Sequence, residues 1–330
     1  MIDPPVTLGA AAVLLLLSPG LRPSDDAARE PGDLTARDGI RLHWTSRGSG
    51  ADTVVVPGAW MLAGELGPIS ERHTVIFYDM RSRGRSERVD DPDRLGFSLD
   101  VRDLEDVRRH FGLERMSLIG FSYLGGVVAR YAMEHPGRVE RLVLLGAIPP
   151  RSPAPYTESA PGPAEILGPD RTRRLQDLRE RRSGKEDPAA LCRAYWRTIL
   201  PLYTAGPEAA DRLAGSLDLG CGLPNERPGS FERVLGHVMG DLQAYDWRED
   251  ARGLELPTLV VHGDSDHVAP VGGAREWTEV LPRSRRVEIE EAGHLLWAER
   301  PRRVRAAVRR FLTSRGSRSS RERPGEGRKR

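Results

Sequence analysis

The chain of 330 residues predicts an α/β protein, a mostly parallel central sheet with helices on both faces. Three observations carry that expectation. Runs such as residues 53–56 and 258–262 are short, β-branched and rich in valine, as strands covered on both faces tend to be. Between them apolar residues recur at helical spacing, for example Val101, Leu104, Val107 and Phe111. Strand and helix alternate, which is the pattern of parallel crossover units.

The first 32 residues stand apart from this pattern. Residues 6–17 form an apolar run of twelve, the length of a signal-peptide core and short for a bilayer span. No positive charge precedes the run and no A-x-A site follows it. Export or tethering and a cytoplasmic location therefore both stay open, with any membrane contact expected at this run alone. The Pro-, Gly- and Asp-rich stretch after it reads as a linker.

The fold is expected from residue 33. Residues 34–37 and 40–45 predict two short strands joined at Asp38-Gly39, a strong hairpin signal. Residues 53–56 predict a central strand, ending at the ligand-approachable loop Pro57-Gly58-Ala59-Trp60. Residues 74–78 predict the next strand, running into Asp79-Met80-Arg81-Ser82-Arg83-Gly84-Arg85-Ser86. The helix through Val101 and Phe111 is closed by Gly112. Residues 116–121 predict a buried strand, and Val127, Val128, Tyr131 and Ala132 give one face of the helix after it. Residues 139–145 return as a strand.

From residue 148 to 254 the alternation stops. A proline-rich opening leads into arginine-rich helical stretches bearing Tyr195 and Trp196, read as a helical cap. Alternation resumes with a strand at 258–262, a helix at 271–281, a strand at 285–289 and a helix at 301–312. The expected division is therefore a core in two parts, 33–147 and 255–313, with a cap at 148–254 and a basic, disordered tail at 314–330. Cys192 and Cys221 match neither a metal pattern nor a disulfide framework, and are expected as free buried thiols, a bridge between them in an oxidising compartment being the alternative. The formal net charge of +2 gives no general pull toward nucleic acid.

The chemistry is expected at Ser122. It lies in Gly120-Phe121-Ser122-Tyr123-Leu124-Gly125, where a strand must reverse into a helix within a few residues. A serine on so sharp a turn presents its hydroxyl above the sheet, beside helix-start N–H groups that favour negative charge. Such a nucleophile needs a base, and the base needs an orienting acid. Of eight histidines, His43, His73, His110 and His135 read as structural, His237 lies in the helical stretch, and His262 ends a strand and should be buried. His294, in Glu291-Ala292-Gly293-His294 between the last strand and the last helix, is favoured over His267, which adjoins the carboxylates. Asp264 and Asp266 both qualify as the acid, with turn capping the alternative for either. All these loops follow strands, so they converge on one edge of the sheet.

On these residues, together with Tyr78-Asp79-Met80-Arg81, Gly84-Arg85-Ser86 and Pro270, the sequence resembles the α/β-hydrolase superfamily, and within it the proline iminopeptidase-like branch. The resemblance implies Ser122 as nucleophile, His294 as base and Asp266 as orienter. It implies an oxyanion hole from the backbone N–H groups of Tyr123 and Ala59 (or Trp60), with no metal or cofactor. Iminopeptidase relatives hold the substrate's amino end with acidic cap residues, which points to Glu226 beside Asn225; Trp60 is expected at the substrate. The implied partner is a small molecule or short peptide, cleaved at an amide or, alternatively, at an ester. A remoter alternative is a non-catalytic binding protein on the same fold. Three departures stand out: Pro57-Gly58 replaces the family's His-Gly, Ser82 replaces a glycine, and Leu124 sits where the elbow has glycine.

Overall fold

The computed structural model describes residues 29–156, 161–181, 187–217, 219–226, 230–240 and 242–314. The expectations for the apolar run at 6–17 and for the basic tail beyond 314 fall outside the described residues. Among the described residues no helix is long and apolar enough to cross a membrane.

A hairpin opens the fold, with β1 (Gly32–Thr35) antiparallel to β2 (Arg41–Arg47) and Gly39 at φ 89° in its turn. Then come β3 (Thr53–Pro57), α1 (Ala59–Leu66), β4 (Thr74–Tyr78), α2 (Phe97–His110), β5 (Met116–Phe121), α3 (Tyr123–Glu134) and β6 (Val139–Leu145). A two-residue strand, β7 (Arg151–Ser152), leads into α4 (Pro163–Glu180), α5 (Pro188–Ile199), α6 (Pro207–Leu213) and α7 (Ser230–Gly240). Strand β8 (Tyr245–Asp246) pairs back on β7 before α8 (Arg248–Arg252), β9 (Thr258–Gly263) and α9 (Val271–Val280). The chain continues through β10 (Ser284–Ile289), α10 (Leu296–Glu299) and α11 (Pro301–Thr313). Helices α4, α5, α6 and α11 each begin at a proline, whose fixed φ and missing N–H suit a first helical position.

The main sheet has eight strands in the order β1-β2-β4-β3-β5-β6-β9-β10, parallel from β4 to β10. This is the α/β-hydrolase architecture that the sequence predicts. Successive residues of a strand face opposite sides, so valine-rich strands fill two cores at once. Val54, Val56, Phe77, Ile119, Val143 and Val261 pack against Leu62 and Leu66 of α1 and Val304, Val308 and Phe311 of α11. Val55, Ile76, Leu118, Leu142 and Val260 face α2, α3 and α9 through Leu104, Val128 and Trp277.

One expectation is corrected. Cys192 and Cys221 are not free thiols but a disulfide with Cα atoms 5.6 Å apart, tying α5 to the loop after α6. Nothing in the spacing of two cysteines announces this, because the pairing depends on how the helical stretch folds back. A bridge between residues 29 positions apart removes loop entropy from the unfolded chain worth about 3–4 kcal/mol in the chain-entropy account. Replacing both cysteines with serine should therefore lower the denaturant midpoint and, because the unbridged unfolded chain exposes more surface, raise the urea dependence of the unfolding free energy, and dithiothreitol should do the same to the wild type. Equal unfolding free energies with and without reductant would refute the entropic contribution.

Candidate active site

Ser122 occupies the turn between β5 and α3 with φ 53° and ψ −125°, a left-handed backbone that a residue with a Cβ adopts only under constraint. The constraint is visible. Ser122 N–H donates to Leu145 O at 2.9 Å, and Ser122 O accepts from Gly125 and Ile148. A Cβ on Gly120 would stand 2.3 Å from Leu124 O, and one on Gly125 only 2.5 Å from the Ala147 Cβ. The glycine one place later than in the family pattern thus serves the close approach of helix to sheet, and the elbow keeps its shape. Leu124 points the other way, to the cavity and to Gly58, whose Cβ would meet its Cδ1 at 2.9 Å.

His294 brings its Nε2 to 2.8 Å from Ser122 Oγ, while its Nδ1 lies 2.8 Å from Asp266 Oδ2. Asp266 Oδ1 accepts from the N–H groups of Val268 and Ala269. Burial raises the Asp266 pKa, but His294, His262 and the Ala269 N–H outweigh it, so the carboxylate is held below its usual range. The second candidate acid, Asp264, caps the neighbouring turn by accepting from Glu291 and Ala292 N–H, the turn-capping role weighed against it. His267 takes no part in this arrangement. Gly293 is required for closeness, since a Cβ there would meet Thr204 C at 2.3 Å. The left-handed residue of the loop is Glu291, at φ 52°. The half-buried Glu299, which no motif singles out, accepts from Gly293 N–H at 2.7 Å and Ala205 N–H at 2.9 Å, fixing the loop that carries His294.

On the other side of Ser122 stands the start of α1. Gly58 N–H donates to Tyr78 O, Trp60 N–H donates to Asp79 Oδ1 at 2.8 Å, and Met61 and Leu62 N–H donate to Gly58 O. Among the described residues Ala59 N–H alone at this helix start takes no partner. Trp60 N–H is thereby removed as a candidate donor to a ligand. Asp79 also accepts from Arg85 N–H, so one buried carboxylate joins the loops after β3 and β4. It does this without the family histidine that Pro57 replaces. Ser82 takes φ 60° in place of the family glycine and is secured by exchanging hydrogen bonds with Val89. Tyr123, the first residue of α3, has its hydroxyl bound to the buried Asp100 at 2.7 Å.

A cavity of about 240 Å³ opens at Ser122 and His294. Trp60, Phe121, Leu124 and Ile148 line it from the sheet side, and Trp196, Leu219, Val234 and Val238 from the helical stretch. Trp60 thus reaches the cavity as expected, but Glu226 does not. Its carboxylate is buried against Arg83, with Oε1 and Oε2 accepting from Nε and Nη2 at 3.0 and 2.9 Å, and Oε1 accepting from Gly84 N–H as well. The Arg83 guanidinium lies over the Trp60 ring, 4.3 Å from its centre, and edges the cavity. Asn225 donates to Ser86 O. An ion pair with an arginine is the alternative reading that Glu226 carries, but as a surface pair with a near neighbour; the pair formed is buried, and Arg83 and Glu226 are 143 residues apart. Among the described residues no group of three or more His, Cys, Asp or Glu side chains is placed to hold a metal ion. Because removal of one partner leaves a buried charge, Glu226→Ala should cost about 3 kcal/mol in unfolding free energy, and Arg83→Met with Glu226→Leu should recover most of it. Denaturant titration of the three proteins checks this, and a double variant no more stable than Glu226→Ala would contradict the pairing.

With the geometry in place, comparison with known proteins is specific. The profile of the alpha/beta hydrolase fold matches residues 60–301. A non-heme haloperoxidase of Rhodococcus erythropolis is 29% identical over 274 residues, 78% of this chain and 89% of that protein. A non-heme chloroperoxidase of Burkholderia pyrrocinia is 28% identical over 259 residues, 73% and 84% of the two chains. Among solved structures, an esterase of Rhodococcus sp. ECU1013 superposes with a TM-score of 0.65 at 24% identity, covering 87% of this chain and all of that one. An α/β-hydrolase enzyme from a deep-sea metagenome gives 0.66 at 18% identity, covering 86% and 98%. The chain belongs to the α/β-hydrolase family.

Proposed function

We propose that the protein is a serine hydrolase that cleaves esters of small, uncharged, largely apolar compounds through an acyl-enzyme. The observation that carries the proposal is the continuous hydrogen-bonded line from Ser122 through His294 to Asp266, opening on an apolar cavity. Ser122 Oγ attacks the ester carbonyl as His294 Nε2 takes its proton. The negative charge that develops on the carbonyl oxygen is met by the N–H groups of Tyr123 and Ala59, each such donor being worth about 3 kcal/mol of the barrier. His294 then returns the proton to the departing alcohol, and the acyl group stays on Ser122. Water, deprotonated by the same imidazole, releases the acid and restores the serine. Asp266 keeps the imidazole in the tautomer with Nδ1 protonated and stabilises the imidazolium. The mechanism calls for no metal or cofactor, and the helical stretch acts as the lid that shapes the cavity.

Ester cleavage is preferred to aminopeptidase action for a physical reason. An ammonium group in a cavity this apolar needs a carboxylate, and Glu226, the residue expected to supply it, is bonded on both oxygens to Arg83. Among the described residues that line the cavity there is no other carboxylate. Arg83 is its charged member, and Glu226 balances that charge. The esterase among the similar structures agrees with this choice, as an analogy of fold.

The test is a substrate panel: short-chain nitrophenyl esters, aminoacyl naphthylamides with proline-led ones included, and halide with hydrogen peroxide for the activity in the relatives' names. Turnover of the esters is expected, and turnover of the naphthylamides alone would replace the ester reading. A fluorophosphonate should label Ser122, and Ser122→Ala should abolish labelling and lower ester turnover by at least about four orders of magnitude. Folded wild-type protein that resists the probe would indicate a binding protein.

A further inference from the structure

Behind Asp266 lies a second histidine that the proposed mechanism does not use. His262, in the last turn of β9 before Gly263, is fully buried, and its Nε2 is 2.5 Å from Ala269 O and 3.3 Å from Asp266 Oδ2. A carbonyl oxygen only accepts, so Nε2 carries the proton. The other nitrogen, Nδ1, has no hydrogen-bond partner among the described residues, and a proton there would be an orphaned donor in an apolar setting. Burial also pushes the imidazole pKa down, further than Asp266 pulls it up, which keeps the ring neutral. Ala269 completes a ring of bonds: its N–H donates to Asp266 Oδ1 while its carbonyl takes the His262 proton. Oδ2 of Asp266 therefore faces two imidazoles, His294 on the cavity side and His262 on the core side.

We infer that His262 is a positioning residue for the serine, histidine and aspartate line: its single Nε2–H, shared between Ala269 O and Asp266 Oδ2, holds the carboxylate on His294 and withdraws part of its negative charge. The inference rests on the serine hydrolase reading. It is separable from it, because His262 is not among the residues lining the cavity and its polar partners are Ala269 and Asp266, not Ser122.

The chemistry gives the sign. Asp266 with one donor fewer is a stronger base and holds the His294 imidazolium more firmly. The base must be neutral to accept the serine proton, so losing the His262 donor moves the acid limb of the kcat/KM profile to higher pH. The charged groups that face the ring are Asp266 and His294, with Glu288 across the pairing of β10 and β9. Those facing His294 are Asp266 and the Ser122 hydroxyl, with the Tyr203 ring 5.9 Å away. Among these, only His262 and its bond change in the variants below.

The experiment compares wild type with His262→Gln and His262→Asn, using a nitrophenyl ester as substrate. A glutamine amide reaches the place of Nε2 and can donate to Asp266, whereas an asparagine amide falls short, at the place of Nδ1. His262→Gln should keep the wild-type acid limb and most of the activity. His262→Asn should lower kcat/KM by on the order of tenfold, the scale of one hydrogen bond to a charged group, with KM little changed. Its acid limb should move up by roughly half a unit to one unit. The low-field proton resonance of His294 Nδ1–H provides a second readout, read on the protein alone, and should shift in His262→Asn and not in His262→Gln. Acid limbs and resonances that coincide in all three proteins would overturn the inference, as would an activity loss in His262→Asn with no change in either. Folded wild-type protein that fails to react with fluorophosphonate would instead count against the hydrolase reading itself.

Discussion

The near contact of α3 with the sheet is the constraint on which the site rests. Two glycines permit it, Gly120 under Leu124 O and Gly125 against Ala147, and no larger residue fits either place. With the helix that close, the chain between strand and helix has no room to relax, and Ser122 is left at φ 53° with its hydroxyl toward the cavity. The strain is supported by backbone bonds to Leu145 at the end of β6, Gly125 in the first turn of α3 and Ile148 in the loop after β6. Everything else in the site is arranged around a hydroxyl fixed in this way.

The arrangement is made by buried and half-buried carboxylates acting on backbone N–H groups. Asp79 binds the loops after β3 and β4 to each other, Asp266 folds its own loop back, and Glu299 fastens the loop of His294 to Ala205. Glu226 does the same for Gly84 from the helical stretch. A carboxylate accepting N–H groups in a low-dielectric interior makes a stronger and more directional tie than a neutral bond. Loops at the strand ends, which sequence alone would leave free to vary, are thereby held to one geometry. Burial raises the carboxyl pKa of Asp79 and Glu299 even so, since the N–H groups and nearby charges only partly offset the desolvation.

What the chain disclosed before its structure was known follows the range of the forces involved. Strands β3, β5, β6 and β9 were legible because burial on both faces demands unbroken apolar runs. Ser122, Asp266 and His294 were legible because each sits in a short local pattern of glycine and strand end. The Leu124 departure was visible, but its meaning was not, since the partner of Gly125 is Ala147 in the loop after β6. Asp79 was part of a motif, yet the N–H it takes from Trp60 lies 19 residues away. Cys192 with Cys221, Arg83 with Glu226, and Glu299 with Ala205 were hidden for the same reason. They join segments whose meeting depends on the helical stretch, where strand and helix do not alternate.

The ion pair of Arg83 and Glu226 gives that stretch a second significance. Arg83 comes from the loop after β4 and Glu226 from the chain between α6 and α7. The same segment brings Leu219 to the cavity beside Ser122, so the counter-charge of the guanidinium at the cavity edge and part of the apolar wall are supplied by one stretch of chain.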